Sequence, residues 1–352
     1  MVRISCLNAT PARPADTNAT QKPGFPSLDI TIPQQAIRRL SLRYGPIFKL
    51  FIGSEPCVVA CSPEIAKEFL RTHETAYLDR TRNPAITFIT YGSKDFSFAP
   101  YGSHWKFMKK IVMSQLLNVT TMDSLLPVMR NEITRFIKCI SEHASSGKAV
   151  ILNGELVKLS NNVITRLLFS RRCSENDGDA EDIRKLTFEI TNIMEAFNLS
   201  DNIRAFKRLD LQGFGKRVKD IHRRYDALIE RIIKDHEDAR KQGTQSERKD
   251  LLNILLNIAQ DASMEIKLTI ENIKAFILNI FVAATDNLAI LTEWALSELI
   301  NNPRIMKKAV EEIDHVVGKN RLLQESDIPN LPYLQAITKE TLRLHPSAAL
   351  IP

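Results

Sequence analysis

This 352-residue sequence has only 12 glycines and five cysteines, and both numbers exclude classes of protein. So few glycines argue against glycine-rich nucleotide-binding loops and against β architectures that need many tight turns. The cysteines are odd in number and dispersed, so we expect free thiols of a reducing compartment rather than a disulfide framework. The seven histidines include no pair three or four residues apart, which disfavours a zinc site.

Charge of one sign is not concentrated in any part of the chain. The net charge is +7, and basic pairs such as Lys109-Lys110 and Arg223-Arg224 are scattered, without aromatic residues between them. Nucleic-acid-binding surfaces need clustered basic residues, so no nucleic-acid partner is predicted. Solvated helix faces are the simpler interpretation, and a basic face for an acidic protein partner stays open.

We also expect neither a signal peptide nor a membrane anchor within this sequence. Residues 1–30 are rich in proline, threonine, alanine and asparagine and have no apolar run, so they are expected to form a disordered lead. Residues 31–352 are expected to form one domain, with a β-containing part over 33–100 and a helical body over 101–352. Its composition, 44% hydrophobic and 25% charged, is ordinary for a globular protein.

Hydrophobic periodicity predicts a mainly α protein with a small N-terminal β element. A helix over Pro33–Arg43 precedes a hairpin of two strands, Ile47–Ile52 and Cys57–Cys61, and another helix runs from Ser62 to Thr72. Residues 79–100 show no sustained period and are predicted to be a long loop. Further helices are predicted over 102–117, 121–145, 153–170, 180–198, 213–242, 250–260, 266–300, 303–317 and 331–345.

One apolar segment, Glu265–Ile300, is long for a helix of a globular protein. Lys274, Asn279 and Asp286 interrupt it. Because charged and amide side chains are costly inside a bilayer, the segment predicts the central helix of a large domain rather than a membrane span.

The midpoint of this segment places polar residues directly after two small ones. Thr285, Asp286 and Asn287 follow Ala283 and Ala284. Buried polar groups cost free energy unless they are paired, and alanines beside them let a bulky group approach the backbone. The segment therefore predicts a contact with a cofactor or substrate, while a capped kink or a solvated face is the alternative.

Trp105 and Lys109 form a second candidate site in the helix that follows Pro100-Tyr101-Gly102. They lie four residues apart, so they project from the same helix face. An indole N–H beside an ammonium group suits an anionic partner such as a carboxylate. The alternative is a packed tryptophan with a solvent-facing lysine.

Near the end of the sequence, Glu340 and Arg343 share one helix face and can pair. Leu342 and Leu344 flank them, so the pair is expected to be at least partly buried. The spacing alone is not specific. Four other E-x-x-R matches, which begin at Glu68, Glu132, Glu181 and Glu237, are interpreted as solvated pairs.

These three sites occur in an order that resembles the cytochrome P-450 haem-thiolate monooxygenases, over roughly residues 33–352. The resemblance implies that Trp105 and Lys109 hold a haem propionate. It implies that Ala283 and Ala284 contact haem, with the catalytic residues Thr285, Asp286 and Asn287 on the oxygen and substrate side. The Glu340–Arg343 pair would anchor the fold. Two segments, Phe197–Asp201 and Glu293–Leu299, are similar to flavone synthase and isoflavone synthase type enzymes of plants.

What the resemblance implies is a monooxygenase that uses dioxygen and electrons from NADPH, passed on by a reductase. The substrate would be a flavonoid-like or other small hydrophobic plant secondary metabolite. The location would be the cytosolic face of the endoplasmic reticulum membrane, with the cytosol as the alternative because no anchor is recognised in this sequence. Residues 82–100, Ile193–Asn202 and Ser347–Ile351 would line its pocket. Lys106, Lys109 and Lys110 could offer a basic patch to the reductase, a role that competes with propionate binding at Lys109.

The sequence departs from the family pattern at the residue that binds the haem iron. The family's axial ligand is a cysteine thiolate in a loop with glycine and phenylalanine, and none of the five cysteines has that setting. We therefore expect a fold that lacks its C-terminal quarter and a chain that is inactive alone. The alternative is a non-catalytic truncated remnant, or an incomplete stretch of a longer protein, that does not bind haem stably. Asn287 in place of a hydroxyl residue, and Ala284 in place of glycine, are expected to weaken oxygen activation.

Overall fold

The structure, a computed structural model, describes residues 33–352 apart from 53–54, 81–82, 171, 173–177, 197, 199–209, 243–249, 265, 349 and 351–352. The lead predicted over residues 1–30 lies outside the described residues, as do residues 197 and 199–202 of the predicted pocket segment Ile193–Asn202. The helices are α1 (Pro33–Tyr44), α2 (Pro63–Lys67), α3 (Glu74–Tyr77), α4 (Pro84–Ile89), α5 (Ser103–Ile111), α6 (Val119–Ser145), α7 (Leu152–Phe169), α8 (Gly178–Glu195), α9 (Phe214–Lys241), α10 (Leu251–Gln260), α11 (Ile270–Asn301), α12 (Pro303–Val316) and α13 (Pro332–Leu344). A π-helical turn extends α2 over Glu68–Thr72, another extends α5 over Val112–Leu116, and Glu325–Asn330 is a 3-10 helix.

The small β element is a two-stranded antiparallel hairpin of β1 (Ile47–Ile52) and β2 (Glu55–Ala60). Its register places Ile47 opposite Ala60 and Ile52 opposite Glu55. The second strand begins two residues before the predicted Cys57, because Glu55 and Pro56 also pair with β1. Proline is tolerated on the outer strand of a sheet, where its missing N–H is not needed. A mainly α fold with one small β element is confirmed.

The predicted loop over 79–100 contains a short helix, α4 (Pro84–Ile89). The Asn83 side chain accepts hydrogen bonds from the backbone N–H groups of Ala85 at 2.8 Å and Ile86 at 3.2 Å. Asparagine at the N-cap followed by proline at the first helical position is a helix-start signal that does not require a long hydrophobic period. The expectation of an uninterrupted loop was wrong because six residues are too few to show that period.

The core lies among α7, α8, α9, α10 and α11: the central helix α11 packs mainly against α7 and also against α8 and α10, α9 packs against α8, and α10 packs against α7. On α9 the buried residues recur at helical spacing, as Ile221, Tyr225 and Ile229 do. Each such side chain contributes about 1.5–3 kcal/mol when it is fully removed from water. Side chains with no exposed surface include Ile190, Tyr225, Ile229, Leu252, Leu255, Ile273, Ile277 and Phe281.

The central helix α11 is long and apolar enough to cross a membrane by length and composition, with a mean hydropathy of 1.7 over its most apolar window. Its first half lies in the protein core, where Phe276, Ile277 and Phe281 are at most 2% exposed. Thr269 caps its start and accepts a hydrogen bond from the backbone of Asn272, whose side chain bonds back to Thr269. The burial supports the prediction of a central core helix.

The interpretation of Glu132 as a solvated pair is corrected by the structure. Glu132 is 2% exposed, and its Oε1 accepts hydrogen bonds from Arg166 Nη1 at 2.6 Å and Arg172 Nη2 at 2.5 Å. The arginines reach it from α7 and from the residues after α7, so the ion pair joins segments that the local E-x-x-R spacing cannot reveal. A buried carboxylate requires such partners, because an unpaired charge in the interior is strongly destabilising.

We predict that Glu132→Ala lowers the free energy of unfolding by about 3–5 kcal/mol, because two guanidinium groups lose their buried partner. Chemical denaturation measures the change. The matched control is Glu68→Ala, which removes an exposed glutamate from another E-x-x-R match and should change stability by less than about 0.5 kcal/mol. An equal loss in the free energy of unfolding from the two substitutions would contradict a special contribution of the buried Glu132 ion pair to stability.

Candidate functional site

Trp105 and Lys109 lie on one face of α5. The Lys109 ammonium is 4.7 Å from the centroid of the indole ring, and Tyr101 lies beside that ring with 5.6 Å between the two centroids. Trp105 is half-buried and Lys109 is exposed. The helix therefore presents an indole N–H and an ammonium group side by side. This arrangement suits a carboxylate ligand and is equally compatible with a packed tryptophan under a solvent-facing lysine.

The segment that leads to α5 is fixed to the central helix by a buried pair of polar residues. Asn279 Nδ2 donates to Asp95 Oδ2 at 2.7 Å, and Asn279 Oδ1 accepts from the backbone N–H of Ser97 at 3.3 Å. Asp95 also accepts from the backbone N–H of Phe98, and burial raises the pKa of its carboxyl group. Asn279 lies one helical turn before Ala283, so this contact holds the segment that leads to Trp105 against α11, next to the residues predicted to contact a cofactor or substrate.

In the sequence, Asn279 is recognisable only as an interruption of an apolar segment. No sequence pattern indicates a role for Asp95. The signal in the sequence was the position of Asn279, whose amide side chain lies inside an apolar run that includes Phe276 and Phe281. Such a residue must find a polar partner when its helix is buried. Its partner Asp95 lies 184 residues away in the sequence, so the local pattern around Asn279 could not identify it.

The predicted motif at the midpoint of α11 is divided between two faces of the helix. Thr285 is buried, and its hydroxyl donates to the Phe281 carbonyl at 2.8 Å and lies 3.3 Å from Asn161 Oδ1 of α7. Ala283 and Asn287 are exposed, and the Asn287 amide donates to the Ala283 carbonyl at 2.7 Å. Thr285 thus joins two helices, while Ala283 and Asn287 form part of an open surface.

That open surface continues along α11 as an apolar stripe. Beyond Asn287, the side chains of Leu288, Ile290 and Trp294 are 54%, 37% and 43% exposed. A small alanine with large apolar residues further along leaves exposed apolar surface of the kind that packs against an apolar ring system. The indole and ammonium donors of α5 are of the type that binds carboxylates, so the chemistry of these side chains is compatible with haem.

Asp286 lies between the two faces and is half-buried. Burial raises the pKa of its carboxyl group, and no other cause opposes that shift. Asp286 is therefore a titratable group held next to the exposed alanine and asparagine, with a greater tendency to keep its proton than an ordinary aspartate.

Asp286→Asn should change how stability depends on pH. A raised carboxyl pKa means that the folded protein keeps this proton to a higher pH than the unfolded chain, so its contribution to stability falls as pH rises from the ordinary value of 3.8. Replacing the group removes this loss, so the stability of the variant relative to the parent protein should increase with pH. Urea denaturation between about pH 3.5 and 7 measures the difference.

The control for this measurement is Asp123→Asn, which removes an aspartate from an exposed position of α6. If the two variants show the same change with pH, burial at position 286 is not the cause.

Glu340 and Arg343 form a two-point ion pair on α13, with distances of 2.6 and 2.7 Å. The mutual bond lowers the pKa of Glu340 and raises that of Arg343. Their side chains are 55% and 51% exposed, and the flanking Leu342 and Leu344 are exposed as well. The structure therefore differs from the expected partly buried pair, because this face of α13 meets solvent in the described part of the chain. Thr341 is the residue that α13 buries here.

The end of α13 is held against the central helix by a stacked pair of rings. His345 lies parallel to Trp294, with 3.9 Å between the ring centroids and 6° between their planes. Its Nε2 is 2.9 Å from Glu298 Oε1. This contact joins residues 47 or more positions apart, so local sequence patterns do not reveal it. The contact places the Glu340–Arg343 helix beside the second half of α11 and covers part of Trp294, a residue of the apolar stripe.

Comparison with known proteins identifies the family. Residues 25–352 match the family model described as cytochrome P450. This chain belongs to the cytochrome P450 family. Among curated P450s it is 49% identical to cytochrome P450 93A3 of Glycine max and 49% identical to 3,9-dihydroxypterocarpan 6A-monooxygenase of the same plant. A 2-hydroxyisoflavanone synthase of Glycyrrhiza uralensis is 40% identical.

These matches cover most of this P450 chain but only part of its relatives. They include 91% or 92% of the chain and 64%, 64% and 62% of the three relatives in the same order, so the chain spans less than two thirds of their length. A zebrafish P450 structure with progesterone superimposes with a TM-score of 0.76 at 23% identity, over 89% of this chain and 71% of that one. At that identity the likeness concerns the fold alone.

Proposed function

We propose that this P450 is part of a haem-dependent monooxygenase that uses dioxygen and electrons from an NADPH-dependent reductase. The observation that carries the proposal is the open face of α11, where small Ala283 lies beside Asn287 on a helix whose other face is buried. A central helix of a globular protein normally covers its apolar residues. An apolar stripe that is exposed at the family's cofactor position is best explained as the binding surface for a flat apolar group.

Trp105 and Lys109 would hold this cofactor at its edge. The chemistry that haem would supply at this site is the activation of dioxygen. The chain's own contribution is to bind and orient: the indole N–H and the Lys109 ammonium would donate to the propionate carboxylates. Ala283 and Ala284 would allow the ring close to the helix backbone.

Three polar residues of α11 would act on the oxygen side in different ways. The Thr285 hydroxyl is engaged with the Phe281 carbonyl, so it would position α11 against α7 rather than exchange protons. The Asn287 amide can donate a hydrogen bond but does not readily pass on a proton, because an amide nitrogen is not acidic. Asp286, with its raised carboxyl pKa, is the group on this segment that can hold and release a proton.

The substrate class is proposed from the relatives. Pterocarpan and isoflavanone names among them support a polycyclic, phenolic plant metabolite. A β-amyrin 24-hydroxylase of Glycine max, at 44% identity, shows that the names of the relatives also include a substrate that is not a phenol. We propose a flavonoid-like substrate, with residues 82–100 of this chain on the pocket wall. The proposed location is the cytosolic face of the endoplasmic reticulum membrane. The reductase would bind at Lys106 and Lys110, because Lys109 is assigned to the propionate.

The cysteines that the structure describes are not placed as the thiolate ligand. Cys57 and Cys61 are buried at the hairpin, and Cys139 lies on α6 beside His143 and Glu155. We therefore propose that the thiolate belongs to sequence that the longer relatives possess. The second candidate for the function is a non-catalytic remnant that binds no haem stably. It rests on the same placement of the described cysteines.

The reduced carbon monoxide spectrum tests the proposal. We expect no thiolate-type band from this chain with added haem, and a clear band once the chain is extended at its C-terminus with the corresponding part of a relative. In the extended protein, joint replacement of Trp105 and Lys109 by alanine should weaken haem retention about tenfold or more, because charge-assisted hydrogen bonds are lost. Lys138→Ala, at an exposed lysine of α6, is the control.

Three outcomes would contradict parts of this account. An extended protein that binds no haem would rule out the cofactor site. A thiolate band from the unextended chain would show that one of its five cysteines is the ligand. Unchanged haem retention in the double variant would remove Trp105 and Lys109 from the site.

A further inference from the structure

A short basic stretch near the end of α1 takes no part in the sites described above. Its sequence is Arg38-Arg39-Leu40-Ser41-Leu42, so two arginines lie three and two positions before a serine, and a leucine follows it. We infer that Ser41 is a phosphorylation site for a serine/threonine kinase whose peptide-binding groove is acidic. The inference needs neither haem nor the proposed oxidation.

The pattern suits such a kinase because each side chain matches one part of an acidic groove. Guanidinium groups form two-point hydrogen bonds with carboxylates, and charge patterns beside the acceptor residue determine which kinase binds a substrate. The leucine after the serine adds an apolar contact. In the transfer step a base of the kinase takes the Ser41 Oγ proton, and Oγ forms a bond to the γ-phosphorus of ATP. The bond from that phosphorus to the bridging oxygen breaks, and ADP leaves.

The structure leaves the residues of this pattern accessible. Arg38 and Arg39 are exposed, and Leu42 is 67% exposed. Ser41 is half-buried, and its hydroxyl donates to the Arg38 carbonyl at 2.8 Å, a bond within the same short helix. Because α1 buries only Ala36, opening its last turn exposes little apolar surface. The segment can therefore adopt the extended conformation that a kinase groove binds at a low cost in free energy.

Two basic residues, any residue and then serine or threonine occur together at two further places in the sequence. The first ends at Ser174, which lies outside the described residues. The arginine two positions before it, Arg172, has a side chain that is only 10% exposed and is paired with the buried Glu132. Glu175 follows this serine, where an acidic groove would repel it. The fold thus withholds one of the two arginines that the kinase requires.

The second further match ends at Thr187 of α8, after Arg184 and Lys185. Thr187 is 2% exposed, so its hydroxyl cannot enter the active site of a kinase while the protein is folded. Exposure of both the basic residues and the acceptor segment therefore distinguishes Ser41 from the other two matches.

Phosphorylation at Ser41 would change the charge of α1. The helix contains three arginines and no acidic residue, so its charge is +3. A phosphoserine adds about −2 at neutral pH and leaves about +1. The modification would weaken contacts that α1 makes with anionic groups through its arginines.

Incubation of the purified chain with ATP, Mg²⁺ and a kinase that selects arginines at both positions tests the inference. Peptide mass spectrometry should locate one added phosphoryl group on Ser41, and Ser41→Ala should lose it. The matched control is Ser124→Ala, whose incorporation should equal that of the parent chain. Ser124 is exposed, and its hydroxyl also donates to the carbonyl three residues before it, but no arginine lies in the five positions before it.

The contribution of the arginines is measured separately. Joint replacement by Arg38→Gln and Arg39→Gln should slow phosphorylation about tenfold or more, because charge-assisted contacts with the kinase are lost. Arg43→Gln removes an exposed arginine on the other side of Ser41 and should leave the rate nearly unchanged.

Three results would overturn the inference. They are no incorporation into the folded chain, a phosphoryl group at another residue in place of Ser41, and equal rates for the double arginine variant and Arg43→Gln. Because none of these measurements involves haem, they are independent of the carbon monoxide spectra that test the proposed function.

Discussion

The structure depends on one helix that is buried along its first half and open along one face of its second half. In α11, Phe276, Ile277 and Phe281 are covered by the surrounding helices, whereas Leu288 and Trp294 are about half exposed. Burial of the first half holds the helix in place, so that apolar side chains of the second half can remain exposed to solvent. A helix without that buried half would have no reason to keep such a face in place. The proposed cofactor position follows from this division.

Buried polar contacts decide which segments gather around α11. Asn279 fixes Asp95 on the approach to α5, Thr285 meets Asn161 of α7, and Lys274 pairs with Asp226 of α9. Each contact joins parts of the chain that are far apart in sequence. Hydrophobic burial can be satisfied by several helix arrangements, but a buried amide or ammonium group is satisfied only where its partner lies. These pairs thus specify the arrangement more narrowly than the apolar core does.

The predictability of each feature depended on the range of the interaction that determines it. The long helices and the hairpin were predictable because hydrophobic periodicity is local, and Trp105 and Lys109 share a face because their spacing is four residues. The short helix α4 was missed because Asn83 and Pro84 specify it through its cap rather than through a period. Glu132 was misinterpreted because its partners, Arg166 and Arg172, lie on α7 and just after it, outside the local E-x-x-R spacing. The expected burial of Glu340 failed because two neighbouring leucines do not reveal whether another segment covers them.

The accessibility of α11 along its length tests the central claim most directly. In the C-terminally extended protein, a cysteine introduced as Ala283→Cys should react rapidly with a maleimide, whereas Ala275→Cys, at a position with no exposed surface, should react only on unfolding. Added haem should slow the labelling at position 283 and leave Ser124→Cys, on the exposed surface of α6, unchanged. Equal labelling at 275 and 283, or labelling at 283 that haem does not slow, would contradict the account.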